Sequence, residues 1–328
     1  MDTIYSLLWK SLLGSGVLLY IYFWIGRRWE VYDVPNERSS HGHVVIRGGG
    51  IVLFVLNIFW GYWVGDMTHI LLAASLSLGV ITGFVDDYKS LHTGIRFILY
   101  FIAIALILFG VLELHRFDTW IWAPLLVILL GAVNTYNFMD GINGITALYS
   151  IILLGSSVVL LHHFDAAQFD APILSYLGFF LAFCFFNLRI NAKLFLGDAG
   201  SVSMGLLAAF LVVFIGIKIG SWTSITLLAA YGVDSVGTIV LRLIKRENIL
   251  QAHRSHLYQD LVHKKCWNHL AVSGLYAGVQ LAINVGFIGL IDTTWGVVYS
   301  LGIFIVLTLV YLLIKLKLHG NELFIPSK

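Results

Sequence analysis

Charge is scarce in this chain. Only 12% of its 328 residues are charged, against 59% hydrophobic, whereas a soluble domain carries about 25% charged residues. That shortage excludes an ordinary solvated globule. Cysteine is scarcer still. Cys184 falls in an apolar run and Cys266 in a polar segment, so they support neither a disulfide framework nor a metal pattern, and both read as small apolar residues. Long polar stretches are also missing. The longest runs from Arg242 to His269, which leaves no room for a separate soluble domain. There is no internal repeat and no low-complexity tract. No secretory cleavage site follows the first apolar run, which at residues 4–26 is long for a signal-peptide core.

What is present is a succession of apolar runs of about 18 residues or more, the length that crosses lipid. Eleven spans are expected, at 4–26, 46–65, 68–85, 95–112, 119–137, 145–162, 172–189, 201–218, 222–243, 271–290 and 295–315. The fold class is therefore all-α, a polytopic membrane helix bundle forming one domain over 1–328. Lysine and arginine set its orientation. With the N-terminus outside, 17 of the 20 fall in cytoplasmic segments, and only Lys10, Arg116 and Lys218 lie outside. The C-terminus is then cytoplasmic.

The unusual polar residues gather on that same cytoplasmic side. The third span ends in "VDDYKS", with Asp86, Asp87 and Lys89. Capping alone would explain one acid. Two adjacent acids repel each other near lipid and call for compensation. A hard cation such as Mg²⁺ takes oxygen ligands of this kind. Helix neighbours point about 100° apart, so one acid can face a metal and the other a substrate.

The fifth span ends in "NTYNFMDGING". Asn134, Asn137 and Asp140 recur every third residue and share one helix face, suited to a nucleobase, a ribose or a metal-bound water. Interhelical hydrogen bonding is the plainer alternative. Gly141 and Gly144 break the helix and invite close approach by a ligand. Next, "LFLGDAGS" leads a loop into a helix, with Ser201 as the expected N-cap. Glycines at a helix N-terminus attract phosphate. Asp198 would repel phosphate unless a divalent cation lay between them; dipole stabilisation is the simpler account of that acid. Finally, "AHRSHLYQ" supplies His253, Arg254 and His256, and arginine binds phosphate in a fork geometry. The nearby Arg242, Lys245 and Arg246 read as the positive-inside signal or as attraction to anionic lipid. The first cytoplasmic loop carries His41, His43 and Arg47 before three glycines, either a flap over a nucleotide or a tight turn into the second span.

These four motifs in order resemble the polyprenyl-phosphate N-acetylhexosamine-1-phosphate transferases. "DDYK" is similar to that family's first motif, "NTYNFMDGING" to its second, "LFLGDAGS" to its third, and "HRSHLYQ" to its histidine–arginine loop. The likeness covers roughly residues 35–260. Two departures stand out: Asn143 replaces the usual aspartate of the second motif, and "LRINAK" lacks the proline common after Asn187.

The resemblance implies that a UDP-N-acetylhexosamine gives its sugar-1-phosphate to undecaprenyl phosphate at the bacterial inner membrane. The products are lipid-diphosphate-sugar and UMP, the start of an O-antigen or another surface polysaccharide. It implies Mg²⁺, or alternatively Mn²⁺, on Asp198 and Asp87, with Asp86 as base or positioning group. It places Asn134, Asn137, Asp140, Asn143 and Asn187 around nucleotide or metal, and Lys89, His253, Arg254 and His256 around phosphate, with Arg47 as a loop contact. The active site would be built from loops 27–45, 86–95, 138–144, 190–200 and 244–270, with membrane lipids around it, no nucleic acid partner, and a homodimer as the family-level expectation. Direct attack and a covalent phospho-aspartate route both stay open. Two other classes remain: a non-catalytic relative, and a transporter, whose acids would instead sit near the bilayer midplane within repeated halves.

Overall fold

The computed structural model describes residues 2–35, 42–112, 118–249, 251 and 253–324. Arg38, His41, Arg116, Ala252 and Lys328 lie outside the described residues. Twelve α-helices are found among those described: α1 (Asp2–Arg28), α2 (Val52–Val64), α3 (Met67–Tyr88), α4 (Thr93–Ala105), α5 (Trp122–Met139), α6 (Ile145–His163), α7 (Asp170–Asn187), α8 (Gly197–Ile219), α9 (Ala229–Ile244), α10 (Leu257–His263), α11 (His269–Leu290) and α12 (Trp295–His319). A two-residue antiparallel pair, β1 (Tyr32–Asp33) with β2 (Val45–Ile46), closes the loop between α1 and α2.

Ten helical segments are long and apolar enough to cross a membrane, which makes the chain a multi-pass membrane protein. The expected span at 46–65 is the exception. Its first residues form β2 and a turn through the left-handed Gly48 (φ 80°), and the helical part is only Gly49–Val64. At 1.5 Å per residue such a piece falls short of a hydrocarbon core of about 30 Å. Two other spans are irregular: α4 continues as a π-helix over Leu106–Val111, and α9 is preceded by a 3₁₀ stretch over Trp222–Leu228.

α8 is the central helix, with buried residues all around it from Ala199 to Val213. α3 packs closely along it because Gly79 and Gly83, four residues apart, lie on one face. A Cβ at Gly79 would run into Leu206, and one at Gly83 into the backbone of Asp198 and Ala199. Small residues at this spacing bring membrane helices together. Within the bundle, buried polar side chains satisfy one another. Tyr149 Oη donates to Gln280 Oε1 (2.7 Å), Gln280 Nε2 to Asn284 Oδ1 (2.7 Å), and Asn284 Nδ2 to Ser156 Oγ (2.9 Å).

Alternation of the helices sends the C-termini of α3, α5, α7, α9 and α12 to the same end as the N-termini of α4, α6, α8 and α11. All four motifs meet there.

Candidate active site

The acids at the end of α3 point two ways. Asp86 Oδ2 accepts from Arg96 Nη1 at 2.8 Å, and its Oδ1 accepts from the Leu91 amide at 2.6 Å. Both oxygens are thus engaged, and the arginine neutralises the charge. Asp87 turns toward α8, where its Oδ2 accepts from the Ala199 amide at 3.4 Å. Asp198 sits in the first turn of α8, close to Asp87 and Asp86 as like charges and to the Asn137 amide. α8 starts at Gly197, which takes a left-handed φ of 73°. Ser201 is therefore inside the helix rather than its N-cap, and its Oγ accepts from Asn137 Nδ2 at 3.3 Å. The glycine run after Arg47 is a packed turn. The amides of Gly49 and Gly50 donate to the carbonyls of Phe195 and Leu196 at 2.9 and 2.8 Å, which fixes the entry to α8. Arg47 is near enough to act on Asp87 electrostatically.

The asparagines divide between structure and site. Asn134 Nδ2 donates back to its own helix at Leu130 O (2.9 Å). Asn187 ties two loops together: its Oδ1 accepts from the Gly144 amide (2.6 Å), and its Nδ2 donates to Leu194 O (2.9 Å). Asn143 is only 3% exposed. Its Nδ2 donates to two carbonyls, Arg189 O at 2.8 Å and Ile190 O at 3.0 Å. This geometry accounts for an amide here. An ionised carboxylate has no hydrogen to donate and would face two carbonyl oxygens. Asn143→Asp is expected to cost about 1–2 kcal/mol through those unsatisfied acceptors. A lowered melting temperature of the purified chain would show it, and an unchanged one would remove the clamp.

Asp140 closes α5 and accepts from Thr146 Oγ1 at 2.6 Å. Burial pushes its carboxyl up to about 7, the Thr146 hydroxyl opposes that, and the charge of Asp198 adds to it. A carboxyl raised in the fold makes the native state bind more protons than the unfolded chain between about pH 4 and 7. Its contribution to stability is complete below about 4 and is lost as pH rises through 7. Asp140→Asn should therefore gain melting temperature over the parent progressively across that window, and level off above it. A constant difference from pH 4 to 8 would refute the shift.

The two glycines of this turn accommodate protein rather than ligand. A Cβ on Gly141 would strike the Tyr258 hydroxyl, and one on Gly144 the Leu188 side chain. Tyr258 Oη donates to Phe138 O at 3.0 Å, docking α10 on the end of α5. In the loop before α10, His253 is half-buried, with Ser255 Oγ 2.9 Å from its Nδ1. Burial and the nearby His256 and Arg242 lower its imidazole to about 4. Its burial thus disfavours the charged imidazole. His256 is 2% exposed, its Nδ1 3.4 Å from Asp234 Oδ1, and its ring is not presented to the loop surface. Arg254, whose Nη2 lies 3.0 Å from His263 Nε2, is the cation this loop offers. Lys89 is exposed just past α3.

Residues 69–216 match the family described as glycosyl transferase family 4. The chain is 25% identical over 270 residues to the probable undecaprenyl-phosphate N-acetylglucosaminyl 1-phosphate transferase of Bacillus subtilis (strain 168), covering 74% of this chain and 73% of that protein. It is 26% identical over 285 residues to the phospho-N-acetylmuramoyl-pentapeptide-transferase of Bacillus pumilus (strain SAFR-032), covering 76% and 85%. With the undecaprenyl-phosphate alpha-N-acetylglucosaminyl 1-phosphate transferase of Yersinia pestis it shares 23% over 279 residues, covering 78% and 76%.

The acid cluster has the chemistry that suits a hard divalent cation. Among the described residues no three acid, histidine or cysteine side chains converge as a ready-made metal cage. Mg²⁺ does not need one, since it binds through one or two carboxylates plus substrate phosphates and water. Asp87 and Asp198, like charges on facing helices with Asp86 already paired to Arg96, are the two carboxylates that could hold such an ion.

Three residues of the site end carry no motif of their own. Arg96 reads in the sequence as one more cytoplasmic charge, yet it neutralises Asp86. Asp234 is 2% exposed and caps α10 from across the bundle, accepting from the amides of Leu257 (2.8 Å) and Tyr258 (3.2 Å) and from Tyr276 Oη (2.6 Å). Lys315 is buried near the end of α12. The available signal for the last two is an ionisable residue inside an apolar span.

Proposed function

We propose that this protein transfers an N-acetylhexosamine-1-phosphate from a UDP-sugar to undecaprenyl phosphate, with the motif-bearing end of the bundle facing the cytoplasm. The observation that carries this reading is the meeting of Asp87 and Asp198 at the first turn of α8. An oxygen of the lipid phosphate attacks the sugar-bound phosphorus. A new P–O bond forms there, the bond to the bridging oxygen breaks, and UMP leaves. Two anions must be brought together in line, so positioning and charge relief carry the catalysis.

Mg²⁺ held by Asp87 and Asp198 would supply charge neutralisation at the diphosphate oxygens. The first turn of α8 adds its amides and dipole to the same anion. Asp86 is locked by Arg96 and the Leu91 amide, so Asp87 rather than Asp86 is the acid that meets the lipid phosphate. Arg254 would offer its guanidinium fork to the diphosphate. A cleft of about 280 Å³ lined by His43, Asn143, Ile190, Asn191, Asn268 and His269 offers the amides and imidazoles that would read the nucleotide. A groove of about 720 Å³ between α5, α9 and α12 is almost wholly apolar, lined by residues such as Val127, Val236, Val240, Ile244 and Leu312. It suits a polyprenyl tail lying in the membrane. The histidine–arginine loop favours a surface polysaccharide, such as an O-antigen, as the product's destination.

The test is UMP release by the purified chain with undecaprenyl phosphate, Mg²⁺ and a panel of UDP-N-acetylhexosamines. Release that requires both lipid and metal establishes the transferase and names its sugar. Tight binding of a UDP-sugar without release would make the chain a non-catalytic relative.

A further inference from the structure

We propose that Lys315, on α12, is a positioning residue that holds the His253–Arg254 loop in place; this rests on the transferase reading above. α12 lies beyond the stretch matched by the family, and its other long side chains mostly face outward: Leu309, Leu313 and Leu316 are exposed. Lys315 points inward and is 1% exposed. Its ammonium donates to Asp260 Oδ2 at 2.6 Å and to the Ser255 carbonyl, and lies 5.7 Å from the Tyr311 ring. A cation at this depth is stable only where acceptors surround it, so these contacts fix both ends of the interaction.

The Ser255 contact is the telling one. Asp260 already has two other cationic or donor neighbours, His319 Nε2 at 2.8 Å and Lys264 Nζ at 3.7 Å. Charge balance for Asp260 therefore does not require Lys315 to reach a carbonyl in the loop. That carbonyl belongs to the residue after Arg254, and the same serine's hydroxyl lies 2.9 Å from His253 Nδ1. On the far side, Tyr258 fastens the start of α10 to Phe138 O, at the turn that carries Asp140. The loop is thus gripped by the second motif through Tyr258, by α9 through Asp234 and a longer Thr238 Oγ1 contact to the Ser255 carbonyl (3.4 Å), and by the last membrane helix through the shorter Lys315 contact. Arg254 immediately precedes these anchors in the chain, and its guanidinium direction follows from them.

The experiment uses the full chain in detergent, with Lys315→Met, the double variant Lys315→Met/Asp260→Leu, and the exposed Lys317→Met as control. Replacing both partners of a buried pair with apolar residues usually keeps a protein folded. It does not restore the Ser255 contact. The double variant should melt within about 3 °C of the parent and lose about tenfold in kcat, with KM for the donor little changed. Tryptic cleavage after Arg254 should accelerate by a similar factor. In an Arg254→Ala background, adding Lys315→Met should cost less than about twofold more, because both changes act through one group.

Parental turnover and parental cleavage in the double variant would overturn the proposal, and so would a double variant that does not fold, since the pair would then be structural. Losses that multiply with Arg254→Ala would overturn it too. If the parent itself releases no UMP, the transferase reading fails separately, and cleavage after Arg254 alone decides: faster cleavage in the double variant supports the clamp, and an unchanged rate ends it.

Discussion

Replacing Asp198 with asparagine is expected to lower turnover about 10³-fold, of order 4 kcal/mol in the barrier, while the chain still folds. The substitution keeps the size and shape of the side chain. It removes one of the two negative charges that would hold a divalent cation against the diphosphate. Asp87→Asn should be comparable, because its carboxylate faces the same turn of α8. Asp86→Asn should differ in kind. It leaves Arg96 without its carboxylate partner (now 2.8 Å away), so lost stability accompanies lost rate. UMP release, melting temperature and Mg²⁺ titration of the three variants separate these roles. Parental turnover in Asp198→Asn would remove the proposed centre.

Much of this was legible in the chain. The apolar runs locate the helices because lipid imposes one length on all of them, and the four motifs stand out because polar residues are rare here. The sequence could not say what each polar side chain grips. Asn134, Asn137 and Asp140 share a face by spacing, yet Asn134 bonds its own helix, Asn137 reaches Ser201, and Asp140 takes the Thr146 hydroxyl. Those partners lie on other turns, and spacing along one helix carries no information about them. The glycines after Asp140 read as ligand contacts because glycine marks close approach; the approaching groups are Tyr258 at Gly141, over a hundred positions along the chain, and Leu188 at Gly144. The second span failed for a local reason. Its apolar residues begin before its helix does, because the left-handed turn at Gly48 brings the Gly49 and Gly50 amides onto the Phe195 and Leu196 carbonyls.

The closeness of α3 and α8 makes the second large effect. Gly83→Val is expected to cost about 3 kcal/mol and to abolish turnover with it. The added Cβ would overlap the carbonyl carbon and oxygen of Asp198 and the amide nitrogen of Ala199. None of these is a side-chain end that can swing aside, so the helices must part. Parting them moves Asp87 away from the Ala199 amide and opens the pair of carboxylates on which the chemistry depends. Stability and activity should therefore fall together, unlike Asp198→Asn, where activity falls alone. Gly155 in α6 is the control. Open space surrounds it, and Gly155→Ala should be neutral or stabilising by up to about 1 kcal/mol. Melting temperature and UMP release, measured on both, give the comparison. A Gly83→Val chain that melts and turns over like the parent would mean that α3 and α8 do not approach this closely, and the shared acid site would lose its frame.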